Sequence, residues 1–294
     1  MRCIACKKKA VINIIAPFCE EHFIKNYENR IRKTINRFKL IEKNDRVLVA
    51  ISGGKDSMAL SYFLSKLRNE IDFVLEALFI NIPFCMKEEN LKIVKEFCNK
   101  NNINLHVVTF EDYGIDFKKL FKLRRPICST CGMIKRYIMN KFARENGFNK
   151  LATGHCSNDI SLFFLKNLIS QKFEWNAKLK PLIPSTHPKL ISKIRPLFEV
   201  SEEENELYCK LNKIEFSSFC SYAKIEALRK DKIKKILNES KKIIPDISIK
   251  ISKSLEKINI NYQENIRECK ICGEPTSGEI CGVCKLKQKI SNID

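Results

Sequence analysis

The chain lacks any run of about 18 uncharged apolar residues, which excludes a membrane-spanning helix read from sequence. Its opening Met1-Arg-Cys-Ile-Ala-Cys6 also lacks the apolar stretch of a secretory signal. The expectation is a soluble, unsecreted, cytoplasmic chain with no membrane partner. Acidic residues are few: 34 Asp and Glu stand against 54 Lys and Arg, a formal net charge of +20. A surplus of that size favours a polyanionic partner, nucleic acid first, although a Lys- and Ile-rich genome drifts in the same direction. Beyond two cysteine-dense ends there is no internal repeat, and there is no eight-residue GxxxxGK[ST] phosphate loop. Cysteine, by contrast, is plentiful at 14. In a reducing compartment these do not build a disulfide framework, so closely spaced pairs point to metal or catalysis.

The two ends carry the plainest pattern. Cys3-x2-Cys6-x12-Cys19-x2-His22 and Cys269-x2-Cys272-x8-Cys281-x2-Cys284 each offer four soft ligands in two close pairs. That spacing suits closed tetrahedral structural sites, and we expect two Zn²⁺. Gly273 and Gly282 stand where the turn after each C-terminal pair needs them. Segments this short have little core of their own and usually need metal to fold. The expected organisation is an N-terminal zinc finger over 1–27, a catalytic domain over 28–230, a helical segment over 231–264 and a C-terminal zinc finger over 265–294.

Between the ends the chain alternates strand and helix. Arg46–Ile51 is a short β-branched run of the kind that a strand covered on both faces shows. Further strands are expected at Phe73–Ile80, Asn104–Thr109 and Lys150–Thr153, and helices at Glu88–Asn99, Gly132–Glu145 and Asp159–Leu168. The alternation predicts an α/β fold, a parallel sheet with helices on both faces. Before it lies a basic helix from about Tyr27, whose Arg30, Arg32, Lys33, Arg37 and Lys39 either face phosphate or solvate one side. Gln171–Phe198, with four prolines, reads as irregular; Ser201 caps a helix opening in three glutamates. Lys/Ile-rich helices are expected at Tyr222–Leu237 and Ile247–Ile258. Cys98 and Cys209 lie on apolar stripes and read as buried thiols, His106 and His187 as structural or exposed, while Cys85 has no assigned role.

Ser52-Gly-Gly-Lys-Asp-Ser57 follows the first strand and precedes a helix, where backbone amides and the helix terminus hold phosphate. Gly53 and Gly54 let the backbone approach the anion, Ser52 and Ser57 offer hydroxyls, and Lys55 offers charge. Cys128-Ser-Thr-Cys131 precedes a helix and reads as a metal-binding or redox pair. With Cys220 far downstream, three thiolates can hold a [4Fe-4S] cluster with one iron left open. Lys135 lies one helical turn beyond Cys131 and can reach the same cavity.

The Ser52–Ser57 string resembles the loop of the PP-loop, or ATP pyrophosphatase, superfamily, whose members adenylate a carbonyl oxygen and release pyrophosphate. Its second signature is similar to Thr153-Gly-His-Cys-Ser-Asn-Asp159, where Cys156 replaces an Asn and Asn158 an Asp, with Gly154, His155 and Asp159 kept. Taken with Cys128-x-x-Cys131-Gly-x-x-Lys135-Arg136, Ile194–Val200, Cys220 and both ends, nearly the whole chain resembles the tRNA 2-thiouridine synthetases of the TtuA and cytoplasmic tRNA 2-thiolation group. Ser221 replaces the proline usual after the third cysteine. The group acts on wobble and T-loop uridines alike.

This resemblance implies a tRNA sulfurtransferase that uses ATP and Mg²⁺ to adenylate the uridine C2 oxygen. Sulfur then arrives through a [4Fe-4S] cluster on Cys128, Cys131 and Cys220. It implies ATP contacts from Ala50, Ser52, Gly53, Gly54, Lys55, Asp56, Ser57, Ile80, Lys135 and Gly154, and catalytic roles for Asp56, Lys135 and Asp159. It further implies tRNA as partner, inorganic sulfide or a ubiquitin-like thiocarboxylate carrier as sulfur donor, and a homodimer. Two rival readings stand beside it. One is a different PP-loop tRNA ligase, transferring an amine as lysidine synthetases do or working by a persulfide on Cys128 and Cys220. The other is a non-catalytic RNA-binding zinc protein. Cys156, inside the signature loop, is a candidate for chemistry.

Overall fold

A computed structural model of the chain describes residues 1–82, 88–123, 125–217, 231–260 and 264–291. Its centre is a six-stranded sheet in the order β5-β4-β3-β6-β8-β7, built from β3 (Arg46–Ala50), β4 (Val74–Asn81), β5 (Asn104–Thr109), β6 (Lys150–Ala152), β7 (Leu182–Ile183) and β8 (Ser192–Ile194). All neighbours pair parallel except β7 with β8. Alternation of side chains explains why β3 is apolar throughout. Val47 and Val49 join the core under α1 (Glu20–Phe38), α2 (Lys55–Leu67) and α3 (Glu88–Lys100), while Leu48 joins the core under α4 (Ile127–Glu145).

The chain leaves β3 toward β4 on one side and returns to β6 on the other, so the sheet changes direction at β3. The carboxyl ends of β3 and β6 therefore flank the crevice where open α/β sheets bind ligands. α5 (Ser157–Ile169) and α6 (Glu202–Leu211) follow β6 and β8, and α7 (Lys232–Ile243) and α8 (Ile247–Lys257) pack beyond them. Short hairpins, β1 (Ile12–Asn13) with β2 (Pro17–Phe18) and β9 (Arg267–Glu268) with β10 (Pro275–Thr276), carry the terminal cysteine clusters, the second followed by α9 (Gly282–Ser291).

Several boundaries differ from the sequence expectation. The basic helix begins at Glu20, because Phe23 and Tyr27 already pack into the core with Ile31 and Ile35. Its arginines are held in ion pairs: Arg30 pairs with Glu204, the exposed Arg37 with Glu199 and Glu256, and Arg32 with Glu28 and Glu70. α4 starts at Ile127, so Cys128 and Cys131 lie inside its first two turns rather than before it. The segment read as irregular contributes β7 and β8, strands of two and three residues that are too short for any periodicity to show. Ser201 caps α6 as expected, its Oγ accepting from Glu204 N at 3.3 Å. Of the helix expected over Tyr222–Leu237, residues 222–230 lie outside the described residues, as do Cys85 and Cys220; α7 runs from Lys232 to Ile243.

Candidate active site and metal centres

The Ser52–Ser57 loop is folded by its own side chains. Ser57 Oγ donates to Gly54 O at 3.0 Å and accepts from Ser52 N at 3.1 Å, and Gly54 caps α2. Gly53 holds φ +80°, open to glycine at little cost, and its carbonyl accepts from Ser217 N at 2.9 Å. The signature loop after β6 comes directly against it. A Cβ on Gly154 would lie 2.9 Å from Ser57 N and 3.0 Å from the Asp56 carbonyl carbon, so only glycine lets the two loops touch.

Asp56 and Asp159 share this crevice. Asn205 Nδ2 donates to Asp56 Oδ1 at 2.7 Å and Lys55 Nζ stands 3.4 Å from Asp56 Oδ2. Burial outweighs both and, with Asp159 and Glu202 adding repulsion, pushes the Asp56 carboxyl up to about 6. Burial likewise raises Asp159, whose carboxylate accepts from Cys156 N at 3.1 Å. Raised carboxylates in one cleft mark a site for proton transfer or cation binding.

The two departures in the signature loop have structural duties. Cys156 is 1% exposed, its thiol donates to Asp159 at 3.6 Å, and burial beside Asp159 and Asp56 pushes it well up, which makes it a poor nucleophile. Asn158 accepts from Glu202 N at 3.2 Å and so ties the loop to the start of α6. Asn205 and Glu202, the latter 3.5 Å from Lys55, are site residues that the sequence reading missed. Each is an ordinary polar residue of an acidic helix turn, with no motif around it.

Topology brings α4 to the same edge. Its last residue, Glu145, leads into the start of β6, so α4 runs antiparallel to that strand and its first turn reaches the carboxyl side of the sheet. Cys128 is exposed, Cys131 half-buried, and Lys135 half-buried a turn further on. Two thiols three residues apart on one helix face at an N-terminus fit two corners of a cluster, with the dipole favouring thiolate. Cys220 lies outside the described residues. Ala50, Ile80 and Gly154 lie at the ends of β3, β4 and β6, three neighbouring strands around the loop.

Both terminal clusters fit a tetrahedral ion. Ligand atoms of Cys3, Cys6, Cys19 and His22 lie within 4.8 Å of one another, as do those of Cys269, Cys272, Cys281 and Cys284. The 3.6 Å between Cys6 and Cys19 Sγ and 3.7 Å between Cys272 and Cys281 Sγ match the edge of about 3.8 Å that Zn–S bonds of ~2.3 Å set. Backbone amides of Cys281 and Cys284 donate to Cys269 and Cys281 Sγ at 3.2 and 3.3 Å, the outer-shell bonds that hold thiolates for metal. Gly273 takes φ +70° as its turn requires, whereas Gly282 serves another end: a Cβ there would lie 2.4 Å from Met133 Sδ on α4.

A glycine loop at the switch point of a parallel sheet, closed by a second glycine loop and two carboxylates, defines an α/β enzyme of ATP-dependent group activation. The PP-loop domain model matches residues 23–239. A tRNA-5-methyluridine(54) 2-sulfurtransferase of Pyrococcus horikoshii is 39% identical over 99% of this chain and 96% of its own, and one of Thermotoga maritima 36% over 99% and 97%. The U34-tRNA thiolase NcsA from Methanococcus maripaludis, solved with its [4Fe-4S] cluster, superposes with a TM-score of 0.80 at 26% identity, covering 98% of this chain and 96% of that one. The chain belongs to the PP-loop family and, within it, to the tRNA 2-sulfurtransferases. No described helix is long and apolar enough to cross a membrane.

Proposed function

We propose that the chain is a cytoplasmic enzyme that adenylates the C2 oxygen of uridine 54 in tRNA and replaces that oxygen with sulfur. The observation that carries this reading is the contact of the Ser52–Ser57 loop with Gly154, which sets Lys55, Asp56 and Asp159 around one crevice. The amides of Gly53 and Gly54 and the start of α2 receive the ATP phosphates, beside Ala50 and Ile80. Lys55 neutralises charge, and Asp56 and Asp159 would hold a Mg²⁺ ion, which would supply further charge neutralisation to the phosphates. Lys135 stands at the developing oxyanion. The uracil C2 carbonyl is a poor electrophile; transfer of AMP to its oxygen creates the leaving group.

Cys128, Cys131 and Cys220 would hold a [4Fe-4S] cluster, which would supply the sulfide. As the C2–S bond forms, the C2–O bond breaks and AMP departs with the electron pair. The terminal clusters hold two structural Zn²⁺, and family likeness supports a homodimer fed by inorganic sulfide or a ubiquitin-like thiocarboxylate carrier. Assignment to uridine 54 follows the names of the two relatives at 39% and 36% identity rather than the 26% neighbour named for uridine 34.

Anaerobic purification with metal analysis, beside Cys128→Ala, tests the cluster. About four irons and two zincs are expected, the iron lost and the zinc kept in the variant. Zinc without iron after anaerobic reconstitution would favour a persulfide enzyme. Mass spectrometry of nuclease-digested tRNA after turnover should place the added sulfur at position 54; sulfur at 34 would overturn the assignment of position while leaving the chemistry intact.

A further inference from the structure

Between α4, the β7–β8 edge and the C-terminal cysteine knuckle lies a cavity of about 1050 Å³, at the upper end of the usual range for small-ligand sites. It is apart from the nucleotide loop: none of Ser52–Ser57 lines it. Four cations and two carboxylates do. The carboxylates are already engaged, Glu264 by Lys178 at 2.6 Å and Glu274 by both guanidinium nitrogens of Arg144 at 2.7 and 2.6 Å. Lys180 is engaged as well, donating to Leu255 O at 2.7 Å and Ile258 O at 2.8 Å at the end of α8.

Arg136 and Lys193 remain. Among the described residues neither has a hydrogen-bond acceptor or an ion-pair partner. Arg136 is exposed on the cavity side of α4 and Lys193 is half-buried on β8. Desolvation, with Arg195, Arg136 and Lys178 nearby, outweighs the attraction of Glu264 and holds the Lys193 ammonium down to about 8. Two cations from different elements that face one space, whose carboxylates are already paired to other cations, suit an anion entering it. The same space has an apolar and aromatic wall, Met133 and Tyr137 from α4 and Ile191 before β8.

The cavity borders the reaction site. Arg136 directly follows Lys135, and Arg136 and Arg195 both act electrostatically on His155 of the signature loop. Arg195 directly follows β8, two residues beyond Lys193.

We propose that this cavity seats RNA: Arg136 and Lys193 hold the phosphate of a nucleotide beside the modified uridine, whose base rests against Met133, Tyr137 and Ile191. This rests on the tRNA thiolation reading. A phosphodiester matches two convergent cations, and an unstacked base matches the wall, which is how single-stranded RNA segments are commonly held. Arg136 and Lys193 are binding and positioning residues, not catalytic ones.

The test is tRNA binding by fluorescence anisotropy across a salt series, with the full-length, zinc-loaded protein and the variants Arg136→Ala, Lys193→Ala and Lys193→Arg. Each alanine variant should bind roughly 3- to 10-fold more weakly at fixed salt and lower the slope of log K against log salt by about one, with Lys193→Arg near wild type. Zinc content and thermal midpoint establish folding; because Arg136 is exposed, its variant decides the matter if Lys193→Ala fails to fold. Unchanged affinity and slope in both alanine variants overturn the proposal. So does normal tRNA binding with a lost response to a protein sulfur donor, which would assign the cavity to that donor. Failure of the wild type to bind tRNA would sink the thiolation reading itself.

Discussion

Asp56 is held where its charge is costly, and the cost has a sign. Its carboxyl titrates at about 6 in the folded chain against 3.8 as a free side chain. Between those values the folded state binds the extra proton, so this residue's contribution to stability falls as pH rises from about 4 to 6 and stays low above. Asp56→Asn keeps the acceptor for Asn205 Nδ2 and removes the charge. It should therefore be more stable than wild type at neutral pH by roughly 1–3 kcal/mol, with the gap closing toward pH ~4, while thiolation is lost. Urea titrations at both pH values check the sign; equal stability at neutral pH would mean that Asp56 is not desolvated. At this scale, residues whose chemistry is local were legible. Ser52–Ser57 and the four-ligand clusters declare themselves by type and spacing. Asn205 and Glu202 did not, because their role comes from α6 packing against α2, a contact between distant parts of the chain.

Helix α4 carries Cys128, Cys131 and Lys135, and the C-terminal knuckle is packed on it. Met133 occupies the space left by Gly282, and Arg144 grips Glu274, which is 4% exposed and adjoins the knuckle's β10. Metal at the knuckle would therefore support the helix that presents Cys128 and Cys131. Arg144→Ala, which strands a buried carboxylate, should cost about 3 kcal/mol and speed hydrogen exchange along residues 133–144. Cys281→Ser should lose one zinc, raise exchange in the same segment, and release iron faster than wild type under air. Unaltered exchange in α4 after loss of that zinc would show the knuckle to be an independent module. Elements with a full period of pattern, β3 to β6 and α3, were legible to within a residue or two. The start of α4 was not, because Pro126 and the cysteines masked a helix whose apolar stripe begins only at Ile134. β7 and β8 were invisible for want of length.

Charge is the property of the whole molecule that composition announces, and composition misplaces it. A net +20 with a basic first helix invites the view that α1 lies along RNA. The folded chain instead ties the three arginines of that helix into ion pairs. Arg30 reaches Glu204 of α6, 5% exposed as a side chain, and the Glu199 carbonyl; Arg37 closes ion pairs to Glu199 and to Glu256 of α8, and Arg32 to Glu28 and to Glu70 in the α2–β4 turn. The arginines of α1 thus brace the N-terminal cluster to the core, and on the proposal above the cations that meet tRNA are others, Arg136 and Lys193 among them. This separates two kinds of basic residue by experiment. Arg30→Met leaves Glu204 buried without its partner, which should remove roughly 3 kcal/mol and lower the thermal midpoint by about 6–12 °C. Below that midpoint it should leave tRNA affinity and the salt slope as they are, since no phosphate contact has gone. If Arg30→Met instead lowers the slope by about one with the midpoint unchanged, α1 does meet RNA, and its internal ion pairs must open when tRNA binds.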